Sequence, residues 1–243
     1  PNVLSIRSRS DYGDQGYPAW SRVLKQGSPR RHHWYRNVLH ALGGTRVANV
    51  LCVPFLPDEV KTAIAIEGTF GARLCTYIMD DQNVAADGIS DELMKELLDR
   101  SSLRLATHPE LRAAYEAKYG LKFHLLPAVV PDHLILRQSA AWPEFADARR
   151  GALLGSFWDQ SWFDRLCTAL EGSGFAIDWF GNADSPWLRF PRQALSRAGI
   201  ITRGVIPEEE LARELRRYPF VIVPVGALDE AESNRGVAAL SLP

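Results

Sequence analysis

The sequence predicts an α/β protein of two lobes, each built on a mostly parallel sheet. Three observations predict it. From Ala48 onward, short apolar runs alternate with amphipathic segments at the spacing of βαβ units. Over residues 137–150 the rhythm breaks into a polar stretch with Ser139, Pro143 and the charged end Asp147-Ala148-Arg149-Arg150, and then it restarts. Finally, the apolar run Leu74-Cys75-Thr76-Tyr77-Ile78-Met79 stops abruptly at Asp80-Asp81-Gln82-Asn83. Such runs read as strands central to a parallel sheet, covered by helices on both faces. Ligands of open α/β sheets bind just beyond the carboxyl ends of the strands.

Residues 1–27 mix the run Val3-Leu4-Ser5-Ile6 with Gly, Tyr and Asp and read mostly as loop. Ser28-Pro29 opens a helix through Leu42, stopped by Gly43-Gly44. Its basic start, Arg30-Arg31-His32-His33, opposes the helix dipole and is either a solvated face or an invitation to an anion. Residues 48–55 are a strand, and Pro57-Asp58-Glu59 starts a helix ended by Gly71. A strand over 73–79 follows. Ser90 caps a helix to about Arg100, and residues 103–106 form a short strand. Thr107-His108-Pro109-Glu110 has the form of a capping box, opening a helix to Tyr119-Gly120. Residues 123–126 are another short strand, in which His124 reads as a satisfied core residue. After the break come a strand over 151–157, a helix from Ser161 to about Glu171, and a strand over 175–180 followed by Gly181-Asn182. Residues 195–205 give a loop and a short strand. Pro207-Glu208-Glu209-Glu210 opens a helix to Arg217, and residues 220–225 form an apolar strand. The expected organisation is a first domain over 1–136, a linker over 137–150 and a second domain over 151–243.

The 28 Lys and Arg against 29 Asp and Glu give a net charge of −1, which offers no global electrostatic case for nucleic acid or a membrane surface. No apolar run approaches a membrane span. Cys52, Cys75 and Cys167 have no metal-ligand spacing and read as free buried thiols suited to a reducing cytoplasm. No signal or transit peptide is visible. The chain begins at Pro1 and stops at Pro243 straight after an apolar segment, and it reads as a fragment lacking strands at both ends.

Several segments together resemble the GT-B-fold glycosyltransferases, and among them the group-one, retaining nucleotide-sugar transferases. Residues Leu103-Arg104-Leu105-Ala106-Thr107-His108-Pro109-Glu110-Leu111, then Tyr119-Gly120 and Leu125-Leu126-Pro127, are similar to the family's stretch leaving the first domain. Gly204-Val205-Ile206-Pro207-Glu208-Glu209-Glu210-Leu211 with Phe220-Val221-Ile222-Val223-Pro224 resembles its nucleotide-facing segment. Gly155-Ser156 resembles the turn after the first strand of its donor domain. The resemblance implies two Rossmann-like domains facing a cleft, a bacterial-type cytoplasmic enzyme, and hexosyl transfer from a nucleotide-diphosphate sugar to an unknown acceptor, without metal or other cofactor. There are departures. Residues 155–163 lack the basic pair that usually holds the diphosphate; Arg165, the first cation, falls inside its helix, and Arg203 and Arg235 are the alternatives. The paired-glutamate motif is also incomplete, with Asp229-Glu230-Ala231-Glu232 as its beginning. A non-catalytic binding or scaffold module of the same fold is therefore the alternative. A periplasmic-type binding protein is a weaker third.

On this reading Asp80 or Asp81 accepts or orients the acceptor hydroxyl. Their adjacent carboxylates repel and their side chains diverge, so one of them faces the cleft. Gln82 and Asn83 suit sugar hydroxyls, and His108 either reaches the cleft or sits exposed in a helix first turn. The competing reading of Asp80-Asp81 is a loop whose carboxylates bond backbone N–H groups. A metal site at the pair lacks a third ligand in sequence. The donor is assigned to Gly155, Ser156, Gly204, Val205 and Ile206, near the helix terminus at Ser161. Asp229 or Glu230 is placed by the ribose or sugar. Trp158 either stacks on base or sugar or caps the core.

Overall fold

The computed structural model describes residues 3–8, 20–129, 132, 147–157, 160–183 and 189–223. These fall into two compact units, one up to Ala128 and the other from Val129. Each is a Rossmann-like α/β arrangement on a four-stranded sheet whose pairs are all parallel.

In the first unit, β1 (Leu4–Arg7) and β2 (Trp20–Val23) form a separate parallel pair. Helix α1 (Arg31–Leu42) follows. The main sheet is then built from β3 (Asn49–Cys52), α2 (Pro57–Phe70), β4 (Arg73–Ile78), α3 (Asp91–Arg100), β5 (Leu103–Ala106), α4 (Pro109–Tyr119) and β6 (His124–Leu125). Its strands lie in chain order, β3-β4-β5-β6. Parallel crossovers are right-handed, so a sheet laid down in one direction carries its helices on one face. Accordingly Leu74 and Ile78 of β4 share one core with Ile64 of α2, Leu97 of α3 and Leu111 of α4. Helix α2 is buried on two sides, because Ala65 and Ile66 pack instead against Trp34, Val38 and Leu42 of α1.

The sequence predicts helices on both faces of this sheet, and among the described residues one face is covered. Burial along β4 alternates, with Leu74, Thr76 and Ile78 buried and Arg73, Cys75 and Tyr77 more open. On the second face Leu51 and Leu103, which flank Cys75, are exposed. His124 is exposed rather than part of the core, because β6 is a two-residue edge strand. Of the three thiols, Cys52 is buried, while Cys75 and Cys167 are half-buried.

The second unit contains β7 (Arg150–Leu154), α5 (Gln160–Leu170), β8 (Ala176–Phe180), α6 (Arg192–Arg197), β9 (Ile200–Thr202), α7 (Glu208–Leu215) and β10 (Val221–Ile222). The strand order is β10-β7-β8-β9. The chain steps outward from β7 to β9 and then returns to the far side of β7. The reversal between β7 and β10 is a topological switch point, the place where open α/β sheets hold ligands. Leu153, Ile177, Trp179 and Ile200 pack with Phe163 of α5 and Leu195 of α6 to form the core. Three elements that the sequence does not predict are β1, which falls in the stretch read as loop, β2 and α6. Among the described residues no helix is long and apolar enough to cross a membrane.

Candidate functional site

In the first unit the polar residues after β4 sort by alternation. Asp81 and Asn83 point inward and are buried, whereas Asp80 and Gln82 are half-exposed. Oδ1 of Asp81 accepts from the backbone N–H groups of Asn83 (3.1 Å) and Val84 (2.8 Å), and Oδ2 from those of Ala85 (2.7 Å) and Ala86 (2.9 Å). Tyr115 Oη also donates to Oδ1 at 3.2 Å. Burial alone would raise the Asp81 carboxyl, but the four backbone donors outweigh it and hold its pKa below the ordinary value. The carboxylate is consumed in shaping the loop.

Asn83 is spent in the same way. Its Nδ2 donates to Ile89 O (2.7 Å) and Asp91 Oδ1 (2.9 Å), while Oδ1 accepts from Tyr119 Oη. Lys118 donates to its carbonyl and pairs with Asp91 at 2.7 Å. The loop is thereby latched to the start of α3 and the end of α4. An amide so engaged has no donors left for a sugar hydroxyl. Gln82 contributes its carbonyl to Gly88 and Ile89 N–H, but its side chain makes no hydrogen bond within the described residues.

Asp80 is the uncommitted acid. Its carboxylate makes no hydrogen bond or ion pair within the described residues. Desolvation raises its pKa above the ordinary value, and the neighbouring His108 acts in the opposite sense. His108 arrives there because Thr107 ties the ends of two strands together. Its N–H donates to Ile78 O (3.1 Å) and its hydroxyl to Met79 O (3.0 Å). Thr107 is thus not the helix cap. His108 is, its Nδ1 accepting from Leu111 N–H at 3.4 Å, and it is buried rather than exposed. The same Nδ1 lies 3.2 Å from Glu110 Oε2. One nitrogen cannot both accept from Leu111 and donate to Glu110, so the ring tautomer selects between the two bonds.

In the second unit the predicted turns meet through Gly181, which the sequence places after a strand without assigning it to the donor. Gly155 N–H donates to Phe180 O (3.0 Å), and Trp179 Nε1 donates to Gly155 O (2.8 Å). Gly181 N–H donates to Gly204 O at 3.1 Å. Gly155, Gly181 and Gly204 therefore line the carboxyl ends of β7, β8 and β9, the first beside the switch point. Gly155 has φ +91° and Gly204 φ +73°, in the left-handed region that favours glycine. A Cβ on Gly181 would lie 2.1 Å from Gly155 O, so only glycine lets the two turns approach. Ser156 and Val205 are exposed and Ile206 is half-buried. Trp158, Asp229 and Glu230, also assigned to the donor, lie outside the described residues.

A second cluster joins Arg203 to Asp178, Arg150 and Tyr218, which the sequence does not single out. Asp178, in the middle of β8, is 1% exposed. Arg150 binds it in a fork, Nε to Oδ2 at 2.8 Å and Nη2 to Oδ1 at 2.9 Å. Arg203 Nε donates to Oδ1 (2.9 Å) and Tyr218 Oη to Oδ2 (2.7 Å). Burial would raise the Asp178 pKa, but these donors outweigh it and hold it low. The signal was available, since an acid inside an apolar strand must find partners. Among the described residues no group of three or more His, Cys, Asp or Glu is placed to hold a metal ion.

No family model and no curated protein matches the chain. Among solved structures, it is similar to the UDP-N-acetylglucosamine 2-epimerase from Rickettsia bellii, at 12% identity and a TM-score of 0.47 over 83% of this chain. The chain spans 57% of the length of that protein.

Proposed function

We propose that the chain is part of a glycosyltransferase that moves a sugar from a nucleotide-diphosphate donor to an acceptor hydroxyl. The observation that carries this reading is Asp80, a desolvated carboxylate without a hydrogen-bond partner among the described residues, at the carboxyl end of β4. An acid left unpaired in that position is suited to proton transfer rather than to architecture. Asp80 takes the proton from the acceptor hydroxyl and Gln82 orients the sugar. The acceptor oxygen bonds to the anomeric carbon, while the bond from that carbon to the phosphate oxygen breaks and its electron pair leaves with the diphosphate. The donor is assigned to the turns at Gly155, Gly181 and Gly204. Exposed backbone at a switch point and the glycine-only approach of Gly181 to Gly155 support that assignment. Asp81, Asn83 and Tyr115 hold the acceptor loop.

The test is nucleotide release from UDP- and GDP-sugars, with calorimetric titration of the free nucleotides. Asp80→Asn is expected to abolish transfer and leave nucleotide affinity unchanged. Absence of nucleotide binding at millimolar concentration, where a contact worth about 4 kcal/mol still registers, replaces the transferase with the scaffold module. That alternative is favoured by one observation, the lack of any Lys or Arg from Gly155 to Phe163.

A further inference from the structure

We propose that Arg203, anchored by the buried carboxylate of Asp178, is the phosphate-binding cation of the second unit. As an assignment of the donor's diphosphate this rests on the nucleotide-sugar reading, but the anion site stands on its own geometry. Arg203 is fixed at three points. Its backbone N–H donates to Trp179 O at 2.7 Å, which places it just beyond β9. Its Nε is bonded to Asp178. The carbonyl of the next residue, Gly204, is held by Gly181. The side chain is nonetheless 45% exposed, and its two Nη groups make no hydrogen bond within the described residues. A guanidinium oriented through Nε with both Nη groups unspent presents a preorganised fork of the kind that binds phosphate oxygens in pairs.

The charge count points the same way. One buried carboxylate is met by two guanidinium groups, which share its Oδ1, and by Tyr218. Burial and the bond to Asp178 push the Tyr218 phenol up to about 12, so it stays a neutral donor. Arg150 alone neutralises Asp178 through its fork. Arg203 therefore carries surplus positive charge, and a phosphate offers the anion that compensates it. Other cations of the unit are less suited. Arg197 is paired with Glu171, and Arg165 lies inside α5. The start of α7 is filled by its own Glu208, Glu209 and Glu210, so that helix end is not the anion site.

Calorimetric titration of the whole chain with inorganic pyrophosphate, and separately with UDP and with uridine, tests the assignment. Pyrophosphate and UDP are expected to bind, uridine much more weakly, with affinity falling as salt rises. Arg203→Gln should weaken pyrophosphate binding about tenfold or more, and Arg203→Lys less, since charge remains without the fork. Arg197→Gln, which removes the same charge elsewhere, should change nothing. Asp178→Asn should weaken binding while the double variant with Arg203→Gln is no worse than Arg203→Gln alone, the signature of one residue acting through the other. If Asp178→Asn fails to fold, the Gln, Lys and Arg197 variants decide. Equal affinity in the wild type and Arg203→Gln, equal loss in Arg197→Gln, or no pyrophosphate binding at about 10 mM, where a contact worth about 3 kcal/mol still registers, overturns the proposal. Pyrophosphate binding of the expected kind without sugar transfer would remove the transferase reading and leave this site standing.

Discussion

The carboxylate of Asp81 closes a ring of backbone donors, and its removal leaves Asn83, Val84, Ala85 and Ala86 facing an amide that can satisfy only some of them. Asp81→Asn is expected to destabilise the first unit by about 2–3 kcal/mol, read by urea unfolding. The pH dependence follows from the sign of the shift. The folded pKa of Asp81 is depressed, so its contribution is present above the unfolded value and is lost as pH falls through the folded one. Stability should decline below about pH 4, and Asp81→Asn should flatten that decline. Asp80 has the opposite sign. Its folded pKa is raised, so its contribution is present below the unfolded value and lost as pH rises through the folded one. Asp80→Asn should therefore leave stability at neutral pH unchanged or slightly improved while removing transfer, which separates the two acids by unfolding and turnover measured together. The sequence located the pair at a strand end because the change from apolar to acidic is abrupt there. It left open which acid is spent, because Asp81's fifth donor is Tyr115, a helix away in sequence.

At the level of elements, the three glycine turns of the second unit depend on one close approach. Gly181→Ala places a methyl group 2.1 Å from a backbone oxygen that cannot rotate away. A loss of about 1–3 kcal/mol is expected, together with reduced nucleotide binding. Gly204→Ala meets no neighbour within 4 Å and pays only for its positive φ, about 1 kcal/mol. Thermal unfolding of the two variants should therefore rank Gly181→Ala as the more damaging. Elements with chemical punctuation were readable from sequence: α2 begins at Pro57 and stops at Gly71, α3 is capped by Ser90, and α4 stops at Gly120. Those without it were not. Helix α6 has six residues and no side-chain cap, and β2 is four residues defined by pairing with β1. The start of α4 misled for a physical reason. Thr107 has the residue type of a cap, but its hydroxyl is drawn to Met79 across the sheet, and the cap passes to His108.

At the scale of the molecule, the described cores close within their own units. The open face of the first sheet makes a direct prediction: Leu51, 64% exposed, tolerates Leu51→Gln within about 0.5 kcal/mol, whereas Leu74→Ala on the covered face costs about 2–5 kcal/mol by urea unfolding. Alternation was hidden in the sequence because both faces of β4 are largely apolar, and only the one-directional strand order explains why one stays uncovered. That order also governs how the polypeptide acquires its shape during synthesis. Chains emerge from the ribosome amino end first, and domains fold largely as they appear. In the first sheet each new strand docks beside the one just made, so β3, β4, β5 and β6 can zip together in succession. The second sheet places its last strand beside its first, Val221 opposite Ala152, and the bonds on that side of β7 must wait for α7 to leave the exit tunnel. Nascent chains halted before β10 should accordingly carry a protease-resistant first sheet and a second one still open along β7.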